Sequence, residues 1–319
     1  MKTMKSKFYS LALAAGMLSL TACSDDNTND SNNDKGNGIE NGSILKGTIT
    51  EDVTLKAGNT YKLSGEYIVE AGATLNIEEG VKIISVYDNI VDYILVKQGA
   101  KINAVGTPDK PIVMTSEKEE PGAWGGIHIC GKAHTNAEGG KGSSEIGGAV
   151  YGGNDDADNS GTLQYIRLEY TGFAFDEEHE ANGISFYGVG NGTIVDHCEA
   201  YKGSDDGFEF FGGSVNVSNM VVVSCSDDSF DWTEGWNGKG TDLVAYQEAK
   251  ATLGYDCDCL IEADNNENDN AATPVSHPVL KNLILAGNGE SKQGIRLRRG
   301  TQADIDNAKV CGKGQPLVV

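Results

Sequence analysis

The sequence predicts an all-β fold, a right-handed parallel β-helix, on the strength of an alternating pattern and an internal repeat. From residue 42 onward, apolar and polar residues alternate in short stretches such as Val53-Thr-Leu55 and Thr74-Leu-Asn-Ile77, and Gly, Asn and Asp separate these stretches. Alternation of period two between frequent turn residues is typical of strands, and no amphipathic helical window competes with it.

The internal repeat selects a solenoid over a sandwich or a barrel. The motif Asp205-Asp-Gly-Phe-Glu-Phe210 returns 22 positions later as Asp227-Asp-Ser-Phe-Asp-Trp232, with the same chemical type at every position. A period in the low twenties, interrupted by longer excursions, is that of one coil of a parallel β-helix. We therefore predict the β-helix over residues 43–319, beginning with a capping β segment over 43–71.

The N-terminal residues are predicted to lie outside the β-helix. Lys2, Lys5 and Lys7 precede an apolar run at 8–20, which is too short to span a bilayer and is typical of a signal peptide. We therefore predict a signal peptide over residues 1–22. Residues 23–42 are rich in Asp, Asn, Ser, Gly and Thr, which predicts a flexible acidic tether.

The end of the apolar run resembles the lipobox of bacterial lipoproteins. It reads Leu20-Thr21-Ala22-Cys23, and in the lipobox the cysteine is lipidated and becomes the mature N-terminus. The following Ser24-Asp25-Asp26 is similar to the acidic export signal of surface lipoproteins in Bacteroidetes-type bacteria. The resemblance implies an outer-membrane lipid anchor at Cys23 and a protein that faces outward, while a plain hydrophilic linker stays open.

Composition limits the partners. The chain has 47 Asp and Glu against 25 Lys and Arg, a formal net charge of −22 at pH 7. This charge repels phosphate backbones and anionic lipid head groups, which argues against nucleic-acid binding. Cations and neutral or basic partners remain. The six cysteines after Cys23 permit disulfides outside the cytoplasm, and buried free thiols are equally consistent with the sequence.

Strand alternation divides the repeated residues into core and surface. If Phe208, Phe210 and Trp232 face the core with their repeat partners, the intervening residues form one outward column. This column comprises His128, Ser185, Glu209, Asp231, Glu262 and Arg296. A register slip of one residue would bury its carboxylates and expose the rings, which is energetically prohibitive.

Several motifs look like those of a family of Bacteroidetes-type β-helix lipoproteins. They are Gly-Ala-Thr-Leu-Asn-Ile (72–77), Pro-Ile-Val-Met-Thr-Ser (111–116), Trp-Gly-Gly-Ile-His-Ile (124–129), Asp-Asp-Gly-Phe-Glu-Phe-Phe-Gly-Gly (205–213), Asp-Asp-Ser-Phe-Asp-Trp-Thr-Glu-Gly-Trp (227–236) and Ile-Glu-Ala-Asp-Asn (261–265). Members of this family are generally uncharacterised, and some carry the label multidrug transporter. That label does not fit a chain without a span of about 20 apolar residues. The resemblance implies fold and location, and it says little about activity.

The repeated acidic pairs predict a divalent-cation site. The predicted ligands are Asp205, Asp206, Asp227, Asp228 and Asp258. Carboxylates stacked on adjacent coils repel one another, and Ca²⁺ relieves such repulsion because it binds six to eight oxygen ligands. The alternative is that these Asp residues cap turns by accepting hydrogen bonds from backbone N–H groups.

The same face predicts two kinds of polysaccharide chemistry. Glu209, Asp231 and Glu262 are candidate catalytic acids, because glycosidases use two carboxylates at spacings that adjacent coils provide. The candidate binding residues are His128, Tyr187, Phe211, Trp236 and Arg296. For His128 a structural hydrogen-bonded role stays open, and the excursion at 132–159 is expected either to wall the groove or to be a mobile loop.

The leading functional hypothesis is binding of an extracellular glycan or surface polymer, with Ca²⁺ stabilising the acidic coils. The rivals are a polysaccharide lyase or glycoside hydrolase and a purely structural envelope protein.

Overall fold

The computed structural model describes residues 38–88, 90–175, 179–289 and 292–319. These residues form a right-handed parallel β-helix, as the sequence predicted. The predicted signal peptide, Cys23 and most of the predicted tether lie outside the described residues. Among the described residues, no helix has the length and apolar character that crossing a membrane requires.

The described residues form 24 strands and two short helical turns. The strands are β1 (Gly38–Ile39), β2 (Ile44–Ile49), β3 (Val53–Leu55), β4 (Thr60–Val69), β5 (Thr74–Ile77), β6 (Lys82–Ser85), β7 (Tyr93–Val96), β8 (Lys101–Val105), β9 (Ile112–Ser116), β10 (Ile127–Cys130), β11 (Gly142–Ser143), β12 (Val150–Tyr151), β13 (Gly161–Glu169), β14 (Ile184–Tyr187), β15 (Ile194–Tyr201), β16 (Phe208–Phe211), β17 (Asn216–Val223), β18 (Phe230–Thr233), β19 (Lys239–Tyr246), β20 (Ile261–Ala263), β21 (Val279–Ala286), β22 (Gln293–Leu297), β23 (Asp304–Cys311) and β24 (Gln315–Val318). The helical turns are a 3-10 turn, Glu138–Gly140, and α1, Lys250–Leu253.

The strands stack from coil to coil in parallel ladders. One of them, here called the site ladder, runs β2, β4, β7, β10, β14, β16, β18, β20, β22 and β24. The predicted capping segment is built of β2, β3 and β4, which pair in parallel with the coils that follow. From β13 onward, single long strands make the rest of each coil, because β13 pairs with β8 in its first half and with β9 in its second.

Each of these long strands bends at one residue with positive φ. The bend falls at Tyr165 in β13, and the same register position repeats on every later coil. These bends, here called the corner column, are Tyr165, His197, Asn219, Asp242, Asn282 and Asn307. Asn and Asp tolerate the left-handed conformation better than most residues, which explains why they hold four of the six positions.

Stacked apolar side chains fill the interior of the coil. Phe186 lies over Phe210 with ring centroids 5.1 Å apart, and Phe208 lies 6.0 Å from Phe230. These are the residues that the alternation assigned to the core, and all four are buried. The coils approach closely where the chain enters the site ladder, since a Cβ on Gly183 would lie 2.3 Å from the carbonyl oxygen of Gly207.

The excursion at 132–159 packs over the outer face of the site ladder. Ile146, Ala149 and Tyr151 from this insert form a second apolar cluster with Tyr187 and Phe211 of the ladder. The insert therefore covers these outward-facing side chains. This arrangement supports the expectation that the insert forms a wall on this face.

Candidate functional site

The outward column exists in the register that the repeat predicted. His128 pairs with Ser185, which pairs in turn with Glu209. Asp231 follows on the next coil, Glu262 on the coil after it, and Arg296 comes last. The three carboxylates of the column therefore lie on successive coils of one sheet face. Each of them is partly exposed to solvent.

The acidic residues form three compact groups. In each group, one ligand atom from every member lies within 4.8 Å of the others. The groups are Asp205 with Asp206 and Asp227, Asp206 with Glu209 and Asp231, and Asp228 with Cys259 and Glu262. The second group, here called the acidic site, thus combines a predicted metal ligand with two predicted catalytic acids.

Two of the predicted metal ligands make the hydrogen bonds expected of turn residues. Asp206 Oδ1 accepts the backbone N–H of Asp228 at 2.8 Å, and Asp228 Oδ1 accepts that of Cys259 at 2.5 Å. Asn182 begins this series, because its Oδ1 accepts the backbone N–H of Asp206 at 3.2 Å. One oxygen of each aspartate therefore caps a turn on the next coil.

The acidic site contains an unsatisfied oxygen. Asp231 Oδ1 is buried and has no hydrogen-bond partner among the described residues. Glu209 Oε2 accepts a hydrogen bond from Asn182 Nδ2 at 2.6 Å. Burial, followed by repulsion from neighbouring carboxylates, raises the pKa of Asp206, Glu209 and Asp231 well above the usual range. The arrangement therefore favours either bound protons or a bound cation.

Arginines neutralise the far end of the column. Arg296 Nη1 lies 2.8 Å from Glu262 Oε1, and Arg298 contacts both Glu262 and Asp264. Burial raises the pKa of Glu262 and the two arginines oppose that rise. Arg296, a predicted binding residue, is thus engaged in an ion pair and remains partly exposed.

Three of the candidate binding residues, Tyr187, Phe211 and Trp236, are buried, so their rings are not accessible to a ligand. Tyr187 and Phe211 stack on each other at 4.4 Å beneath the insert. Trp236 lies inside the coil, 4.2 Å from Phe210, and its Nε1 donates to the carbonyl oxygen of Val215. It turns inward because the two residues before it adopt positive φ.

His128 is also removed from solvent. Its exposed fraction is 0% and its Nε2 lies 2.7 Å from the carbonyl oxygen of Gly125. Burial lowers its pKa to about 4, so the imidazole is neutral at pH 7. The structural alternative, a hydrogen-bonded side chain, therefore describes His128, whereas an accessible binding residue does not.

The remaining predicted metal ligands do not all lie in one group. Asp205 is buried and Asp227 is exposed, and both lie beside Asp206. Asp258 instead pairs with Lys292 at 2.9 Å and belongs to none of the three groups found among the described residues.

The six cysteines after Cys23 are free thiols, and five of them are buried.

Sequence reasoning missed the groups that hold the insert in place. Glu234 Oε2 accepts hydrogen bonds from Thr135 Oγ1 and from Tyr151 OH, each at 2.7 Å. Asn136 donates to Asn265 Oδ1 at 2.9 Å. Thr135 lies 99 positions from Glu234, and Asn136 lies 129 positions from Asn265. No local sequence pattern connects residues so far apart.

Comparison with known families adds one finding. The model of a family described as the pectate-lyase-like beta helix domain matches residues 47–319. No curated protein and no solved structure shows a significant match to the chain.

Proposed function

Because the chain belongs to the pectate-lyase-like β-helix family, we propose that it binds an extracellular polysaccharide or surface polymer on the outer face of the site ladder, with Ca²⁺ held at the acidic site. The observation that carries this proposal is the group of Asp206, Glu209 and Asp231, in which the buried oxygen Asp231 Oδ1 lacks a partner among the described residues. The fold supports polysaccharide binding in general, and the acidic site adds the position and the cation.

The donor set suits Ca²⁺. Three carboxylates supply up to six oxygens, and a hard divalent cation with oxygen ligands removes their mutual repulsion. Partial exposure of Glu209 and Asp231 leaves an approach from solvent. A cation bound there could also meet oxygens of a polysaccharide, because Ca²⁺ accepts more ligands than the protein provides.

Calcium titration by calorimetry tests the cation. We expect saturable binding that is lost in Glu209→Gln and Asp231→Asn. It should remain in the matched control Asp242→Asn, which neutralises an acid of the corner column. Binding at 100 times the dissociation constant would stabilise the fold by about 2.7 kcal/mol. Unchanged calorimetric and melting curves with and without Ca²⁺ would contradict the cation.

A panel of neutral and uronic polysaccharides tests the ligand. Retention of the protein on one polymer, weakened by a chelator and by Asp231→Asn, supports binding through the acidic site. Absence of retention on every polymer in the presence of Ca²⁺ would contradict it.

An enzymatic role is the second candidate, and the pairing of the carboxylates favours it. The raised pKa of Asp231 suits a general acid, while the neighbouring Glu262 forms ion pairs with Arg296 and Arg298. The same panel separates this candidate from binding, because hydrolysis generates reducing ends and lyase action generates unsaturated products. Retention without either product would reject catalysis.

We also propose that the protein is a lipoprotein, anchored in the outer membrane through Cys23 and facing outward. The support is the lipobox-like run that ends at Cys23, followed by Asp25 and Asp26. Labelling of intact cells with a membrane-impermeant reagent tests the orientation. Labelling only after lysis would contradict exposure at the surface, and loss of membrane association in Cys23→Ala is expected.

A further inference from the structure

A buried lysine in the last coil has an unusual setting. Lys313, in the turn between β23 and β24, is 8% exposed. Its aliphatic chain crosses Gly287, where an added Cβ would lie 2.6 Å from Lys313 Cγ. Its Nζ donates to the carbonyl oxygen of Cys257 and to Asn288 Oδ1, each at 3.1 Å. No carboxylate of the described residues pairs with it within 4.0 Å.

The lysine therefore has neutral oxygens as its hydrogen-bond partners. Burial lowers the pKa of Lys313, although nearby acidic groups oppose the shift. A lowered pKa increases the fraction of neutral amine at pH 7, and only the neutral amine has a lone pair for nucleophilic attack.

The side-chain amide of Asn288 lies between this amine and a carboxylate. Its Nδ2 donates to Asp256 Oδ1 at 3.2 Å, while its Oδ1 accepts from Lys313. Asp256 Oδ1 is positioned by the backbone N–H of Cys257 at 3.0 Å. The hydrogen bond from Nζ to Oδ1 thus brings the amine against the side-chain amide whose Cγ it would attack.

We propose that Lys313 and Asn288 become joined by an intramolecular amide bond that the protein forms by itself. The neutral Nζ attacks Cγ of Asn288 and forms the new C–N bond. A proton of Nζ passes to Nδ2, the leaving nitrogen, which Asp256 Oδ1 holds in place through its hydrogen bond. The bond between Cγ and Nδ2 then breaks, and ammonia leaves. One amide replaces another, so the reaction needs no oxidant, reductant or further reactant.

A competing loss of ammonia is disfavoured by the local backbone. Asn288 precedes Gly289, and in such pairs the glycine nitrogen can attack the asparagine side chain to give a succinimide. Here the backbone N–H of Gly289 donates to the carbonyl oxygen of Gly312 at 2.6 Å. That hydrogen bond holds the glycine nitrogen against the last coil, so Lys313 is the better-placed nucleophile.

The crosslink would secure the part of the solenoid that is buried least. Most side chains of β23 and β24 are exposed, whereas the preceding coils are well packed. Elements with few buried side chains open more easily than well-packed ones. A bond from Lys313 to Asn288 ties the last coil to the one before it.

Mass spectrometry of the intact chain tests the crosslink. We expect a mass lower than the calculated mass by one ammonia, and a protease digest that contains a branched peptide joining Lys313 to Asn288. Lys313→Arg and Asn288→Ala should each restore the calculated mass. The control Lys309→Arg replaces an exposed lysine of the same coil and should keep the deficit.

Three results would overturn the proposal. One is the calculated mass in the wild-type protein after prolonged incubation at neutral pH. Another is a deficit without a branched peptide, which identifies the succinimide. The third is a deficit that persists in Lys313→Arg. Bond formation should be slower in Asp256→Asn, and an unchanged rate would contradict the role of Asp256 in holding Nδ2.

Discussion

The acidic site and the corner column follow the same coil repeat and differ in how their polar groups are paired. In the corner column, Asn282 Nδ2 donates to Asp242 Oδ1, and Asn307 Nδ2 donates to Asn282 Oδ1, each at 2.8 Å. In the acidic site, Asp231 Oδ1 has no partner among the described residues. An amide both donates and accepts, so amides stack along an axis, whereas carboxylates only accept. Stacked carboxylates therefore need protons or a cation.

The pH dependence of stability is the largest expected difference. The raised pKa values of Asp206, Glu209 and Asp231 mean that the folded protein binds more protons than the unfolded chain. Stability without Ca²⁺ should therefore rise as pH falls through these pKa values. If the folded protein binds one proton more than the unfolded chain over about two pH units, the free energy of unfolding changes by about 3 kcal/mol across that range. Urea unfolding in chelator between pH 8 and 5 measures this change.

The reference for this measurement is a variant with Asp206→Asn, Glu209→Gln and Asp231→Asn. Buried His128, whose pKa is lowered to about 4, opposes the rise, because the unfolded chain takes up its proton first. Subtracting the variant removes this contribution. Asp196, near the corner column, has a lowered pKa because hydrogen bonds from Asn219, Ser218 and His197 outweigh its burial. Its effect falls below this pH window, and equal slopes for both proteins would contradict the prediction.

The insert offers a way to test whether burial causes the raised pKa values of the acidic site. Glu234→Ala removes the acceptor for Thr135 and Tyr151, and leaving two donors unpaired costs about 2 kcal/mol. Hydrogen exchange should accelerate in the insert and not at the corner column. If burial raises the pKa values of the acidic site, opening the insert should also flatten its pH response. A destabilised variant with an unchanged response would assign the shifts to carboxylate repulsion alone.

Replacing a carboxylate of the acidic site by an amide, the group that pairs along the corner column, should stabilise the protein. Asp231→Asn removes one charge and adds two donors beside Glu209 and Glu262, which are its neighbours on adjacent coils. In chelator at pH 7 we expect a gain of about 1.5 kcal/mol, equivalent to about one pKa unit of relieved strain. The matched change Asp242→Asn, at an already paired position, should alter the free energy of unfolding by less. A loss of stability in Asp231→Asn would contradict unrelieved repulsion.

The register of the site ladder could be predicted from sequence, whereas its covering could not. The 22-residue repeat placed Glu209 opposite Asp231 because strand alternation has a strict period and a slip would have exposed Phe208. The repeat carries no information about the insert, whose anchors Thr135 and Glu234 are 99 positions apart. Tyr187 and Phe211 were therefore predicted as binding residues, although the insert buries both of them.

Backbone conformation explains why Trp236, another candidate binding residue, is buried. The residue follows Glu234 and Gly235, with φ of 55° and 87°, which redirect the chain into the coil. A glycine in a repeat motif indicates a turn, and its direction depends on the coils packed against it. The composition of the acidic site was missed for a related reason, because Asp206 precedes its strand and meets side chains of that strand only when the turn has formed.

The corner column should show the smallest effect and the opposite sign. Asn282→Ala removes a donor to Asp242 and an acceptor for Asn307, and it places alanine at a φ of 59°. We expect a loss of about 1 kcal/mol, because these hydrogen bonds are exposed and the left-handed conformation costs alanine about 1 kcal/mol or more. Asn282→Gly removes the same hydrogen bonds without the conformational cost, so the difference between the two variants isolates the backbone. If both lose equally, the hydrogen bonds carry the column. If neither loses stability, pairing along the axis does not explain why the corner column tolerates stacking that the acidic site does not.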